Sequence, residues 1–298
     1  LYGPGSPFRL LAGDRPLFAL SLGPDGGKIG SVYIGFEAGS QGKWLHQFQQ
    51  VRAEYRLGYM HYDLADGALG VVCALDAVPL ANRPGAAFRV TAKSIPGECR
   101  LIWACGGASG YHANYLFDPA RWHLAEQDAQ DNSVDVVERG FVLRAPVLAQ
   151  GYDGMVSTPY GRHWPRPVFA HRSTVERVLV GVCDCSGTLR LASARAAESG
   201  PIALWEAQEG TCAVAVFRSE PLATGCTCSI AMSTAEGASE VHSFLNERLD
   251  ALFEGGLERA RQLAACVELR SPDPELNAAT KAMAIAQDGA WVPPSFLH

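Results

Sequence analysis

Residues 174–194 read TVERVLVGVCDCSGTLRLASA and carry the clearest β-strand signal in the chain. Two runs rich in valine, leucine and threonine flank Ser186-Gly187, a dipeptide that is typical of turns. Comparable short runs, separated by glycine, proline or aspartate, recur from residue 17 to about residue 234. Neighbouring parallel strands would need a helix-length crossover between them, so this pattern predicts antiparallel sheets.

The β-rich region has room for about a dozen strands, which predicts a large two-sheet sandwich. Two connections, residues 106–124 and 150–172, are too long to be turns. Both are rich in aromatic residues, histidine, glycine and proline. We expect ordered loops with functional roles there, because disordered segments tend to lack aromatic residues. The predicted strands are residues 17–22, 28–36, 55–64, 68–80, 88–95, 100–105, 134–138, 141–144, 174–185, 189–194, 212–218 and 227–233.

The C-terminal part of the chain has a helical pattern instead. Apolar residues at helical spacing over residues 241–253 predict a helix that Gly255-Gly256 interrupts. A further helix is predicted to begin at Pro274, because proline suits the first helical position and Asp273 suits the N-cap. The sandwich is therefore expected to be followed by C-terminal helices.

Composition limits the class of protein. The 298-residue chain is 48% hydrophobic and 19% charged, which predicts one large globular domain, or one domain and part of another. Its net charge of −6 is spread along the chain and argues against a nucleic-acid partner. No apolar run is long enough to predict a membrane span. The chain starts at Leu1 without a visible signal peptide, and we expect both ends to be cut from a longer protein.

The nine cysteines are an odd number and lie mostly inside apolar runs. This arrangement does not resemble a disulfide framework, and it predicts mostly reduced, buried thiols. The pairs Cys183/Cys185 and Cys226/Cys228 suggest a metal site as the alternative, because alternate residues of a strand share a face. Structural zinc sites usually have at least two residues between paired cysteines. The sequence therefore favours buried thiols, with no metal and no cofactor.

Two stretches resemble a known family: residues 11–20, LAGDRPLFAL, and residues 276–298, LNAATKAMAIAQDGAWVPPSFLH. With the order of sandwich, helical linker and opening helix, they resemble a bacterial family of glycoside hydrolase-like proteins. In such hydrolases and phosphorylases an N-terminal β-supersandwich precedes an (α/α)6, or six-hairpin, barrel. The second stretch is the more specific, since its Asp-Gly-x-Trp, Pro-Pro and His resemble the family's first barrel loop. The resemblance implies a mainly β, galactose-mutarotase-like sandwich.

The same resemblance implies a division of the chain into three parts. The supersandwich would cover residues 1–235, a helical linker residues 236–270, and the first helix and loop of a truncated α/α-barrel domain residues 271–298. The implied partners are a carbohydrate and the missing downstream barrel of the same protein. A periplasmic or secreted location in a bacterium would suit such a protein.

Catalysis is not expected within this chain, because the family's catalytic carboxylates sit on barrel loops. Glycoside hydrolysis needs two carboxyl groups about 5–10 Å apart across the sugar. The pairs Asp63/Asp66 and Asp128/Asp131 are close in sequence, but we expect solvated residues there. The resemblance thus implies the noncatalytic domain of a glycoside hydrolase acting on a polysaccharide or oligosaccharide. The alternative is a stand-alone carbohydrate-binding or structural β-sandwich with no catalytic partner.

Aromatic and polar side chains in the tail and in the two long loops are the candidate sugar contacts. A tryptophan offers a flat apolar face to a pyranose, and aspartate or histidine can hydrogen-bond to its hydroxyls. The alternative is packing, at the domain junction for the tail and against the sandwich for the loops. The candidate substrate-binding residues are Asp288, Trp291, His298, Tyr111, His112, His163 and Trp164.

Overall fold

The computed structural model describes residues 1, 8–22, 27–109, 122–157 and 163–290, with the backbone alone for 147–157, 163–175 and 289–290. Strands make up most of this part of the chain. The first strands are β1 (Phe8–Leu11), β2 (Phe18–Leu22), β3 (Lys28–Ala38), β4 (Gln41–Trp44), β5 (Gln50–Arg56), β6 (Tyr59–Asp66), β7 (Val71–Pro79) and β8 (Gly85–Ser94). The strands that follow are β9 (Cys99–Gly106), β10 (Ser133–Val137), β11 (Gly140–Ser157), β12 (His163–Cys183), β13 (Gly187–Ser193), β14 (Ala213–Ser219) and β15 (Thr227–Ala235).

These strands form two sheets, and every described pairing is antiparallel. The seven-stranded sheet has the order β1-β2-β3-β9-β14-β13, with β4 also paired to β3. The eight-stranded sheet has the order β10-β11-β12-β15-β8-β7-β6-β5. Because β12 and β13 belong to different sheets, the turn at Ser186-Gly187 crosses from one layer to the other. The predicted mainly β sandwich, followed by helices, is confirmed.

Two predictions within the β-rich region are wrong. Residues 55–64 are not one strand, because Leu57 and Gly58 have φ values of 35° and 97° and form the turn of the β5–β6 hairpin. Positive φ is incompatible with extended backbone, so the strand must end there. Residues 150–172 are not a long loop either. The pairing of β11 with β12 continues as far as Ser157 opposite His163, which satisfies peptide groups that a loop would leave to solvent.

Side chains from the two sheets meet in one apolar core. Phe18 of the seven-stranded sheet lies against Phe88 of the eight-stranded sheet, with ring centroids 5.0 Å apart. Trp103 of β9 contacts Phe217 in its own sheet at 5.6 Å and Phe141 of the opposite sheet at 5.9 Å. Such aromatic pairs combine large buried areas with favourable ring geometry, so they fix the two sheets against each other.

The outer faces of both sheets are also apolar and are also covered. Helices α2 (Ala238–Asn246) and α3 (Leu249–Ala265) pack on the eight-stranded sheet, where Phe244 and Phe253 lie in one cluster with Val180. The seven-stranded sheet is covered by Leu124 and by Leu204 of α1 (Pro201–Glu206). No helix in the described part of the chain has the length and apolarity needed to cross a membrane. The helices are α1 (Pro201–Glu206), α2 (Ala238–Asn246), α3 (Leu249–Ala265) and α4 (Pro274–Ala290).

The predicted interruption at Gly255-Gly256 is wrong, because α3 continues through both glycines and the break falls before it, at Arg248. A Cβ added at Gly256 would lie 2.5 Å from the carbonyl oxygen of Pro79 and 2.9 Å from the Val78 side chain. The glycine therefore allows the helix to approach β7 closely, at a position where any side chain would collide.

The predicted start of α4 is confirmed. Oδ1 of Asp273 accepts hydrogen bonds from the backbone N–H groups of Glu275 at 2.8 Å and Leu276 at 3.3 Å. These bonds satisfy two of the N–H groups that a helix leaves unpaired at its first turn. On the same helix, Leu276 is 49% exposed and Met283 is 60% exposed.

The prediction of reduced cysteines needs one correction, because Cys185 and Cys228 form a disulfide. Their Cα atoms are 5.6 Å apart, a normal separation for such a bond. The pairing follows from the β12–β15 register, which the cysteine spacing does not reveal. The free cysteines are Cys73, Cys99, Cys105, Cys183 and Cys212, which are buried, Cys226, which is partly buried, and Cys266, which is exposed.

The close approach at Gly256 can be tested with its neighbour as the matched control. Gly256→Ala should lower the free energy of unfolding by about 1–3 kcal/mol, because the new methyl group collides with the Pro79 carbonyl. At Gly255 the added Cβ would lie 3.8 Å from Cβ of Ala81, an ordinary contact. Gly255→Ala should therefore be neutral or stabilise α3 by up to about 1 kcal/mol. Urea denaturation measures both, and equal free energies of unfolding would contradict this account.

Candidate functional site

Most of the candidate sugar contacts cannot be placed by side chain. Tyr111, His112, Trp291 and His298 lie outside the described residues. Their role in sugar binding stays a prediction.

His163 and Trp164 lie in β12, where the backbone alone is described. They are paired with Ser157 and Val156 of β11, so they belong to a long strand rather than to the loop that the sequence predicted. Their pairing places them next to each other near the start of β12. Their contact with a sugar stays a prediction.

Asp288 is the one candidate whose side chain is described. Its carboxylate forms an ion pair with the guanidinium of Arg259, and both side chains are partly exposed. The pair joins the end of α4 to α3. Asp288 thus has a structural role, and its contact with a sugar stays a prediction.

The structure brings together four polar side chains that the sequence did not connect: Tyr33, His46, His123 and Glu198, called here the Tyr33 cluster. The Tyr33 hydroxyl donates to Oε1 of Glu198 at 2.5 Å, and Nδ1 of His123 lies 3.0 Å from that hydroxyl and 2.9 Å from that carboxylate oxygen. The hydroxyl also accepts a bond from the Leu124 N–H at 3.1 Å. The His46 ring lies 5.0 Å from the Tyr33 ring and 6.2 Å from the His123 ring.

A buried ion pair holds His123 at this position. Nζ of Lys28 donates to Oδ2 of Asp128 at 2.7 Å and to the carbonyl oxygen of His123 at 2.8 Å. The Ser31 hydroxyl donates to the same carbonyl at 3.1 Å. Both members of the ion pair are buried, with exposed fractions of 0% and 3%. Breaking a buried pair by removing one partner is strongly destabilising, so the segment that carries His123 is firmly held.

Burial and hydrogen bonds set the protonation states of the Tyr33 cluster. Burial lowers the pKa of His46 to about 4, so this imidazole is neutral at pH 7. Burial, assisted by the bond to Glu198, raises the pKa of the Tyr33 hydroxyl. Burial alone would raise the pKa of Glu198, but the hydrogen bonds from Tyr33 and His123 outweigh it and hold that pKa below its usual value. The cluster therefore contains an ionised Glu198 carboxylate beside a neutral Tyr33 hydroxyl and a neutral His46 ring.

The Tyr33 cluster suits binding better than hydrolysis. It holds one carboxylate, whereas glycoside hydrolysis needs a pair. Glu198 and His123 are 55% and 39% exposed, so a polar ligand can reach them. Nδ1 of His46 is buried without a hydrogen-bond partner among the described residues. Tyr33 and Glu198 were missed from the sequence, since 165 positions separate them and neither belongs to a motif.

Of the four aspartates expected to be solvated, two are buried, one is partly exposed and Asp131 is exposed. Asp66 is buried, and its Oδ2 accepts a bond from Nζ of Lys43 at 2.8 Å. Its Oδ1 accepts two backbone N–H groups of the following turn at 3.1 Å each. Asp128 is buried against Lys28, whereas Asp63 is partly exposed and pairs with Lys93 at 2.6 Å. The expectation was therefore wrong for Asp66 and Asp128, whose carboxylates are buried and paired with lysines.

A groove of about 790 Å³ lies between the β5–β6 turn and helices α3 and α4. Tyr55 and Leu57 line it from the hairpin, and Leu257 and Ala282 line it from the helices. Tyr55 is 49% exposed and Leu57 is 37% exposed. Exposed apolar side chains that line a groove are typical of an interaction site.

The architecture is that of a large antiparallel two-sheet β-sandwich followed by helices. The fold is similar to a bacterial glucoamylase solved with acarbose, with a TM-score of 0.53, 7% identity, and coverage of 97% of this chain and 40% of that chain. It is also similar to a family GH92 inverting mannosidase from Bacteroides thetaiotaomicron, with a TM-score of 0.52, 9% identity, and coverage of 97% and 36%. The predicted resemblance to such glycosidases is confirmed at the level of the fold.

The chain belongs to the family described as Domain of unknown function (DUF4450), whose model matches residues 26–219. A comparison with curated proteins finds no significant match. The chain spans well under half the length of the two glycosidases, at 40% and 36%.

The buried imidazole of His46 predicts a specific loss of stability in acid. In the unfolded chain a histidine titrates near pH 6.5, whereas burial holds the folded pKa of His46 at about 4. Between these values the unfolded state binds more protons, so lowering the pH favours unfolding. His46 should account for a loss of up to about 2 kcal/mol between about pH 7 and about pH 5.

Thermal unfolding of three proteins over this pH range measures the effect. His46→Gln should flatten the pH dependence of Tm relative to the unmodified chain. His242→Gln is the matched control, because His242 is exposed on α2 and should leave the pH dependence unchanged. An equal fall in Tm for the unmodified chain and His46→Gln would show that His46 is not the source.

Proposed function

We propose that this chain is the noncatalytic N-terminal domain of a carbohydrate-active enzyme, a glycoside hydrolase acting on a polysaccharide or oligosaccharide. The observation that carries the proposal is the difference in coverage. The fold accounts for 97% of this chain but for only 40% and 36% of the two similar glycosidases. An enzyme built on the same plan would have most of its chain, including its catalytic carboxylates, outside this domain.

The partner in this proposal is an (α/α)6 barrel of the same protein, whose active site the sandwich supports and partly walls. Two observations support it: the apolar groove beside α4, and the exposure of Leu276 and Met283 on the same helix. The proposed domains are the supersandwich at residues 1–235, a linker at residues 236–270 and the first barrel helix and loop at residues 271–298.

In this proposal, the side chains that bind the sugar lie near the barrel. Asp288 lies at the C-terminal end of α4, directly before the tail with its tryptophan and histidine. The proposed contacts are Asp288, Trp291, His298, Tyr111, His112, His163 and Trp164.

The proposal predicts that the chain alone does not hydrolyse glycosides. We expect no turnover of aryl glycosides or polysaccharides, because the Tyr33 cluster has one carboxylate and Asp66 and Asp128 are held in buried ion pairs. Release of aryl alcohol and of reducing ends measures this, with a longer protein that includes the downstream gene sequence as the positive control. Turnover by the chain alone that Glu198→Gln abolishes would contradict the proposal. Glycan binding by a chain whose reading frame ends near residue 298 would support the stand-alone alternative.

The proposal also predicts that α4 is the least stable element of the isolated chain. An isolated helix of this length is marginal in water without tertiary packing. Amide hydrogens of α4 should therefore exchange before those of β6 and β7. Leu276→Lys with Met283→Lys should reduce self-association in sedimentation velocity while changing the free energy of unfolding by less than about 0.5 kcal/mol.

The matched control for this prediction is Val267→Lys with Leu269→Lys. These side chains are 39% and 37% exposed but lie between α3 and α4 rather than on α4. The control should leave self-association largely unchanged. Protection of α4 equal to that of β6 and β7 would show that the helix is a finished element of the sandwich, and the proposed barrel partner would fail.

A further inference from the structure

Three sulfur atoms and a carboxylate lie close together where the C-terminal end of β12 meets the N-terminal end of β15. The thiol of Cys183, the carboxylate of Asp184 and the sulfur of Cys185 place one donor atom each within 4.8 Å of one another. The third sulfur belongs to Cys228, which is bonded to Cys185. These four residues are called here the cysteine cluster. Neither the disulfide nor the proposed enzyme accounts for the free thiol of Cys183 beside it.

The strand register fixes this arrangement. Cys183 is paired with Ile230 across the β12–β15 ladder, so continuing the register places Cys185 opposite Cys228. The Ser229 N–H donates to Oδ1 of Asp184 at 2.7 Å, which extends the contact between the two strands beyond the ladder. Four potential ligands are thus held by backbone pairing rather than by a flexible loop.

A cavity of about 360 Å³ gives solvent access to the cysteine cluster. Cys183, Asp184 and Cys185 line it together with Arg139. Cys183 is buried, whereas Asp184 is exposed and Cys185 is partly exposed, so the cluster runs from the core to the surface. An ion can enter from the solvent side, and the positive charge of Arg139 offsets part of the negative charge of several anionic ligands.

We propose that the reduced cysteine cluster binds one thiophilic divalent cation of the Zn²⁺ type. The sulfur atoms of Cys183, Cys185 and Cys228 are three ligands, and Asp184 or a water molecule is the fourth. Two thiolates bound to one tetrahedral zinc ion at about 2.3 Å each lie about 3.8 Å apart. The donor atoms of Cys183, Asp184 and Cys185 already lie within 4.8 Å of one another, and Cys228 is bonded to Cys185, so side-chain rotations after reduction can complete the site. Thiolate ligands select Zn²⁺ or Cu⁺ over Mg²⁺ and Ca²⁺.

The two states of the cluster are related by a balanced reaction with a thiol reductant. Two reductant thiols give two electrons and two protons to the Cys185–Cys228 bond and become a disulfide. Binding of the ion then releases the protons of the three thiols. The ends of β12 and β15 are therefore cross-linked in both states, by a disulfide under oxidising conditions and by a metal ion under reducing conditions.

Titration of the full chain with Co²⁺ after reduction by a phosphine tests this proposal. We expect one equivalent to bind, with thiolate-to-cobalt charge-transfer absorption that Zn²⁺ abolishes by displacement. Zn²⁺ should also raise the Tm of the reduced chain. The oxidised chain should bind at least about 100-fold more weakly, because the loss of an outer-shell partner alone costs 10- to 100-fold in affinity.

Three cysteine variants test which residues bind the metal ion. Cys183→Ala should weaken binding by at least about 100-fold and remove most of the charge-transfer absorption. Since Cys183 is buried, Cys185→Ser at a partly exposed position supplies a second test, with circular dichroism as the check on folding. Cys226→Ser is the matched control and should bind like the unmodified chain. Absence of the charge-transfer band, equal binding by the oxidised chain, or undiminished binding by folded Cys183→Ala or Cys185→Ser would overturn the proposal.

Discussion

Each of the two sheets of this protein is apolar on both faces, and the structure depends on shielding all four faces from water. Two inner faces meet in the aromatic core around Trp103 and Phe88. On the outer faces, Ile102 of the seven-stranded sheet and Val180 of the eight-stranded sheet are as buried as the core itself. Burial of apolar area is the dominant favourable term in folding. The helices and long segments on the outside are therefore as necessary to the sandwich as its strands.

The segments that cover the outer faces also position the polar side chains of the Tyr33 cluster. The segment that carries His123 is held by the buried Lys28–Asp128 pair, and this position brings His123 to Tyr33 and Glu198. A buried ion pair contributes little net stability compared with an apolar replacement of the same shape, but it tolerates few alternative arrangements. Its effect here is to fix one position of the segment over the sheet, so the geometry of the Tyr33 cluster depends on it.

On the opposite side, the covering helices determine where α4 lies. The Arg89 guanidinium lies 3.9 Å from the ring centroid of Phe253 and donates to Glu254 at 2.6 Å, which attaches α3 to the eight-stranded sheet. Arg259 of α3 in turn pairs with Asp288 of α4. The exposed apolar side chains of α4 are thus presented in a direction that the sandwich sets.

The sequence by itself determined features that depend on a few neighbouring residues. The turn at Ser186-Gly187, the Asp273 cap and the antiparallel class follow from local dihedral preferences and short-range hydrogen bonds. Only the tertiary structure decided which sheet each strand joins, that Cys185 meets Cys228, and that Tyr33 meets Glu198. The continuity of α3 through Gly256 also required β7 to be in place. Such contacts depend on strand register and layer packing, which join residues far apart in the chain and leave no periodic signal within it.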